Sequence, residues 1–172
     1  MPVLRRRDFL WLLLWPLYQS LGTIRHEGSH ALMALAQGAR IQQFVFLPSI
    51  GQDGGLLWGY VSYEGSTTWL TSAAPYFVDL LTYLVFFAIC YSVQSLPRWL
   101  WLNLVIVGMI SPMVNSLYNY QAGFWRPSSD VAQLLAVLPG PTVHLYFVAT
   151  IAAYAAGLVV VFRYSRMALR GG

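Results

Sequence analysis

Lysine is absent from this 172-residue chain, and so is any second cysteine to pair with Cys90. That lone thiol lies in an apolar run and excludes an internal disulfide. Charge is scarce as well: 9% of the residues carry it, which excludes a soluble domain of ordinary composition. All ten cationic side chains are arginines, spread over the termini and short connections, so the net charge of +4 does not describe a nucleic-acid-binding patch. Low-complexity segments are missing, and no connection is long enough to hold a second soluble domain.

What is there is apolar. Hydrophobic residues make up 58% of the chain, in several runs near the ~20 residues that cross a bilayer. The expected fold is a single polytopic membrane domain over 1–172, all-α with a small β-hairpin and about four transmembrane helices. Arg5, Arg6 and Arg7 ahead of the apolar run Phe9–Tyr18 have the outline of a signal peptide. Cleavage there would cut the polar motif that follows from the helix that positions it. An uncleaved first span over 9–37 is therefore expected, kinked by Pro16 and stopped by Gly38.

Inside that first span stands Arg25-His26-Glu27-Gly28-Ser29-His30. On a helix of 3.6 residues per turn, His26 and His30 share one face and can grip one metal ion. Glu27, about 100° round the helix, can reach a water bound to that ion and take its proton. Zinc is the metal this donor chemistry suggests. Ionisable groups at membrane depth cost roughly 2.5–3.5 kcal/mol each, so a chance H-E-x-x-H is disfavoured in such a segment. Arg25 lies about 200° round from Glu27 and must find its partner on another element.

The chain then changes character. Ile41–Leu47 and Leu57–Tyr63 are rich in β-branched and aromatic residues, with Asp53-Gly54 between them, and predict a hairpin over about 41–63. Further spans are expected over 67–93, 99–118 and 143–162. A short helix, Asp130–Leu138, lies between the last two, closed by Pro139-Gly140-Pro141. Four spans bring both termini to one side. Arg5, Arg6, Arg7, Arg98, Arg163, Arg166 and Arg170 then share that side against Arg40 and Arg126 on the other, so the termini are expected in the cytoplasm.

Two histidines leave a catalytic zinc short of its third protein ligand. Three candidates have suitable chemistry and depth: Asp130, which is preferred, Asp79 and His144. Each also has a plainer reading: a helix cap for Asp130, a partner for Arg25 in Asp79, an interfacial residue in His144. Asn115 on the third span can orient a ligand, bond a substrate carbonyl or simply join helices, and Asp79, if it is not a ligand, is a further candidate for contacting substrate or supporting the ligands.

His26-Glu27-Gly28-Ser29-His30-Ala31, followed by Gly38-Ala39-Arg40, a hairpin and Ala73-Ala74-Pro75, resembles the site-2 protease family of intramembrane zinc metalloproteases. The likeness is to its small bacterial, peptidase M50B-like branch and covers about 24–137. Asn115, Asn119, Pro127 and Asp130 resemble the stretch that supplies that family's third ligand. Departures are visible: Val131 follows Asp130 where glycine is usual, and Asp79 stands where the family has asparagine. The resemblance implies Zn²⁺ on His26, His30 and Asp130, Glu27 as the catalytic residue, and a bacterial inner (cytoplasmic) membrane. It also implies a motif near the cytoplasmic face, opposite to the arginine split.

The function this predicts is an intramembrane zinc metalloendopeptidase acting on membrane-embedded or membrane-proximal peptides. Its partners would be the lipid bilayer and a transmembrane protein or peptide substrate. The alternative is a catalytically retired peptidase-like chain kept as a structural subunit of a larger membrane complex. A transporter finds no support, since neither an internal repeat nor a second intramembrane ligand cluster is visible.

Overall fold

The computed structural model describes residues 6–50, 56–93 and 95–168. Arg5 and Arg170 of the arginine count and the hairpin tip, 51–55, lie outside the described residues.

A 3-10 helical segment, Arg6–Leu14, leads into α1, Trp15–Ala36. The single helix expected over 9–37 is thus divided, and the division falls at Pro16. Proline has no N–H, and in the first turn of α1 none is needed; it begins the helix instead of kinking it. At the other end Gly38 adopts φ 86°, its N–H bonding Leu35 O at 2.9 Å while the Ala39 N–H bonds Ala34 O at 3.0 Å. That left-handed turn satisfies the last carbonyls and sends the chain into the hairpin.

The hairpin comprises β1 (Arg40–Val45), β2 (Ser49–Ile50), β3 (Leu56–Leu57) and β4 (Tyr60–Glu64). β1 pairs antiparallel with β4, and β2 with β3. A register shift between Ile41 and Gln43 puts Arg40 opposite Glu64 and Val45 opposite Tyr60.

α2, Trp69–Ser92, starts at Thr68, whose hydroxyl accepts the Leu70 N–H. The third expected span, 99–118, is longer and less regular than a single α-helix. It consists of α3 (Arg98–Val105), a π-helical turn (Ile106–Ile110) and α4 (Ser111–Ala122). Pro112 cannot donate to the carbonyl one turn back, and the widened turn just before it absorbs that break. α5, Asp130–Val137, is capped by Ser129, which accepts the Ala132 N–H. α6, Gly140–Ala168, begins before and ends after the expected 143–162, because Pro141 fits its first turn.

Among the described residues three helices are long and apolar enough to cross a membrane: Trp69–Ser92, Arg98–Ala122 and Gly140–Tyr164. They mark an integral membrane protein that is mostly helical, with the small hairpin as its β-structure. α1 is not among them, since Gln19, Arg25, His26, Glu27 and His30 lower its apolarity.

Two clusters make the core. One joins Ala73 and Tyr76 of α2 to Val131 and Leu134 of α5 and to Val143 and Phe147 of α6. The other gathers Tyr83 and Cys90 of α2, Val105, Met109, and Tyr154 and Val161 of α6. The first is the one that docks α5 beside α1.

Candidate metal centre

The middle of α1 carries His26, Glu27 and His30, and Ser29 returns its hydroxyl to the Arg25 carbonyl at 2.6 Å. The two imidazoles meet edge to face, centroids 4.9 Å apart and planes at 84°. Both Nε2 atoms look toward the start of α5, where Asp130 Oδ2 lies 3.2 Å from each. Asp130 is 104 residues from His26 in sequence and arrives through packing. Val131 and Leu134 bury against Ala73 and Tyr76, and the Ser72 hydroxyl donates to Gln133 Oε1 at 2.8 Å.

His30 Nδ1 is 2.8 Å from the Thr71 carbonyl, which can only accept, so the ring proton sits on Nδ1. Burial by itself pushes the Asp130 carboxyl up, but the His26 and His30 rings outweigh it and hold the group well below the usual carboxylate range. An ionised carboxylate between two ring nitrogens calls for positive charge, supplied by shared ring protons or by one metal cation. Tetrahedral zinc with bonds of about 2.0–2.2 Å separates its ligand atoms by roughly 3.3–3.6 Å. One ligand atom each from His26, His30 and Asp130 all fall within 4.8 Å of one another, the two closest approaches being 3.2 Å. The donor set fits a zinc ion, and two nitrogens with one carboxylate leave a fourth position for water or substrate.

The other two candidates for third ligand are engaged elsewhere. Asp79, fully buried, takes the Arg25 Nε–H on Oδ1 at 2.6 Å and the Asn115 amide on Oδ2 at 2.6 Å. Arg25 is also held by the Val107 carbonyl at 3.3 Å and the Ser111 hydroxyl at 3.1 Å. This is the partner the sequence required of Arg25, and the π-helical turn supplies part of it. His144 Nδ1 lies 3.1 Å from the Tyr120 hydroxyl, with Phe124 stacked on its ring, away from the cluster. Asn115 sits between the two groups: its side-chain amide is 3.1 Å from His26 Nδ1 while also bonding Asp79, and Asn119 donates to its oxygen at 3.0 Å. The Asp79 carboxylate on its nitrogen and the Asn119 amide on its oxygen fix the orientation, so it is the Asn115 nitrogen that faces His26 Nδ1.

Glu27 faces a cavity of about 610 Å³ lined by α1, β4, the π-helical turn and α4, with Asp130 at its wall. The Val61 backbone hydrogen-bonds the Glu27 carboxylate, tying β4 to the site. Gly59 makes that approach possible, since a β-carbon there would run into Thr23 and the Val45 carbonyl. β4 pairs with β1 on one side, and among the described residues no strand covers its other edge.

Two residues of the site carry no sequence signal. Thr71 contributes only its backbone carbonyl to His30, which any residue type could do. Tyr76, 1% exposed, brings its hydroxyl within 3.4 Å of Asp130 Oδ2. In the sequence it is one aromatic among many, and only its place after Ala73-Ala74-Pro75 on the face toward α5 distinguishes it.

No curated protein and no solved structure matches the chain. The model of the family described as Peptidase M50B-like does, over residues 7–124. That stretch runs from the 3-10 segment through the hairpin, α2 and α4, and holds both histidines, Glu27, Asp79 and Asn115. With a match across more than half its length, the chain belongs to the peptidase M50B-like family of site-2 protease-like peptidases.

Proposed function

We propose that this protein is an intramembrane zinc metalloendopeptidase that hydrolyses peptide bonds of membrane-embedded or membrane-proximal substrates. The observation that carries the reading is the convergence of His26, His30 and Asp130 beside Glu27 at the wall of a cavity. His26 and His30, through Nε2, and Asp130, through Oδ2, would hold the zinc, with the Thr71 carbonyl fixing the ring of His30. Zinc bound there supplies Lewis acidity for the scissile carbonyl and acidifies a water. Glu27 accepts the proton of the attacking water and returns it to the departing amide nitrogen. Asn115 orients the His26 ring. The open edge of β4 offers backbone groups to an extended substrate, which a helical one would not present.

In this reading α1 is a fourth span and residues 1–172 form one membrane domain. Leu17, Leu21, Ile24, Leu32 and Leu35 are exposed along α1, which suits contact with lipid. The arginine split supports both termini in the cytoplasm of a bacterial inner membrane. Reporter fusions after Gly54 and Gly172 check this; a cytoplasmic signal from the Gly54 fusion would reverse the orientation.

The test of the activity is Glu27→Gln. Cleavage of membrane peptides should fall by about 10²-fold or more, because the water loses its proton acceptor. Zinc content should stay at the wild-type level and vanish in His26→Ala. If no peptide accumulates in the Glu27→Gln strain, while deletion of the whole chain dismantles a membrane complex, the protein is a structural subunit and the peptidase reading is wrong.

A further inference from the structure

Asp130 is held by more than the two histidines. Tyr76 sits on α2 with its hydroxyl 3.4 Å from Asp130 Oδ2 and its ring buried against Phe147 of α6, centroids 4.8 Å apart and planes at 75°. Tyr146, the neighbour of Phe147, donates its hydroxyl to the Tyr76 carbonyl at 3.0 Å. Phe147 in turn stacks on Tyr120 at 5.1 Å. Backbone and ring of Tyr76 are therefore fixed by α6, which lies beyond the residues the family model matches, and its hydroxyl faces Asp130 of α5. Tyr76 is not among the residues that line the cavity.

A carboxylate oxygen carries two lone pairs. A ligand that gives one to a metal keeps the other for an O–H donor, and such a donor fixes the direction of the first. Asp130 stands at the first position of α5, outside the rigid α1 that carries both histidines, so its side chain is the ligand with most freedom to turn. The hydroxyl of Tyr76 is the group placed to remove that freedom.

We infer that Tyr76 is a positioning residue for Asp130, preorganising the third ligand for a divalent metal and through it setting metal affinity. The inference rests on the proposed zinc site and adds to it a residue on α2 and a supporting role for α6. Tyr76→Phe keeps the ring, its packing and the backbone contact, and removes only the hydroxyl. In the full-length protein in detergent, zinc affinity measured by chelator competition should fall about 10- to 100-fold, the range seen when a ligand's outer partner is lost. The absorption bands of the cobalt-substituted protein should shift with it. Tyr83→Phe is the control, since it removes a hydroxyl of the same type, bonded to the Tyr154 carbonyl at 2.6 Å, that touches neither Tyr76 nor a ligand. It should leave both zinc affinity and the cobalt spectrum unchanged. Zinc affinity within two-fold of wild type in Tyr76→Phe, or an equal loss in Tyr83→Phe, overturns the inference. Absence of His26-dependent zinc in the wild-type protein would instead overturn the zinc site itself.

Discussion

The two halves of α2 are built on opposite plans. From Thr71 to Asp79 the buried residues are small or polar, and they face α1, α4, α5 and the start of α6. There Thr71, Ser72, Tyr76 and Asp79 each have a named hydrogen-bond partner on another element. From Leu80 to Cys90 the buried side is aromatic and aliphatic: Tyr83 stacks with Phe87 and meets Tyr154, while Phe86 packs against Gly108. In hydrocarbon an unpaired polar group is expensive, so a polar half must be completed partner by partner, whereas an apolar half has only to fit in shape. The polar half specifies which elements meet, and in what register, at the candidate metal centre. The apolar half holds them together.

The largest expected effect comes from breaking the polar half at its most buried charge. Asp79→Leu leaves Arg25 buried beside it and deprives Asn115 of its acceptor, which should destabilise the protein by about 3–5 kcal/mol. Unfolding in detergent, followed by loss of helical circular dichroism, reads this out. The double change Arg25→Leu with Asp79→Leu removes both charges and should recover most of that loss. No recovery would mean that the cost lies in shape, and the contrast between the halves would weaken.

A smaller effect is expected from breaking the apolar half. A β-carbon at Gly108 would overlap Phe86 at Cβ and Cγ, close to the backbone of α2 and unable to swing aside. Gly108→Ala should destabilise by about 1–3 kcal/mol of overpacking, set against a helix-propensity gain of up to about 1 kcal/mol. Because the clash is with α2 and not with α1, zinc content should be unaffected in the fraction that remains folded. Lost zinc in that fraction would show that the two halves are coupled.

The sequence by itself determined what depends on neighbours along the chain. His26 and His30 share a face because any helix through them puts i and i+4 together. Gly38 ends α1, Ser129 begins α5 and the hairpin lies between α1 and α2, all through local backbone chemistry. Pro16 misled for the same local reason: a proline reads as a kink until the helix start is known, and here it is the start.

Only the tertiary structure decided which acidic group stands by the histidines. Asp79 and Asp130 both have suitable chemistry and depth, and the sequence prefers Asp130 on resemblance and ligand chemistry but holds no contact that decides between them. The decision comes from the packing of α5 on α2 and from Arg25, which takes Asp79 into an ion pair. The π-helical turn that receives Arg25 and the hydroxyl of Tyr76 beside Asp130 belong to the same class of fact. Such contacts join residues 54 to 104 positions apart, and their existence depends on how whole helices pack, which no local pattern encodes.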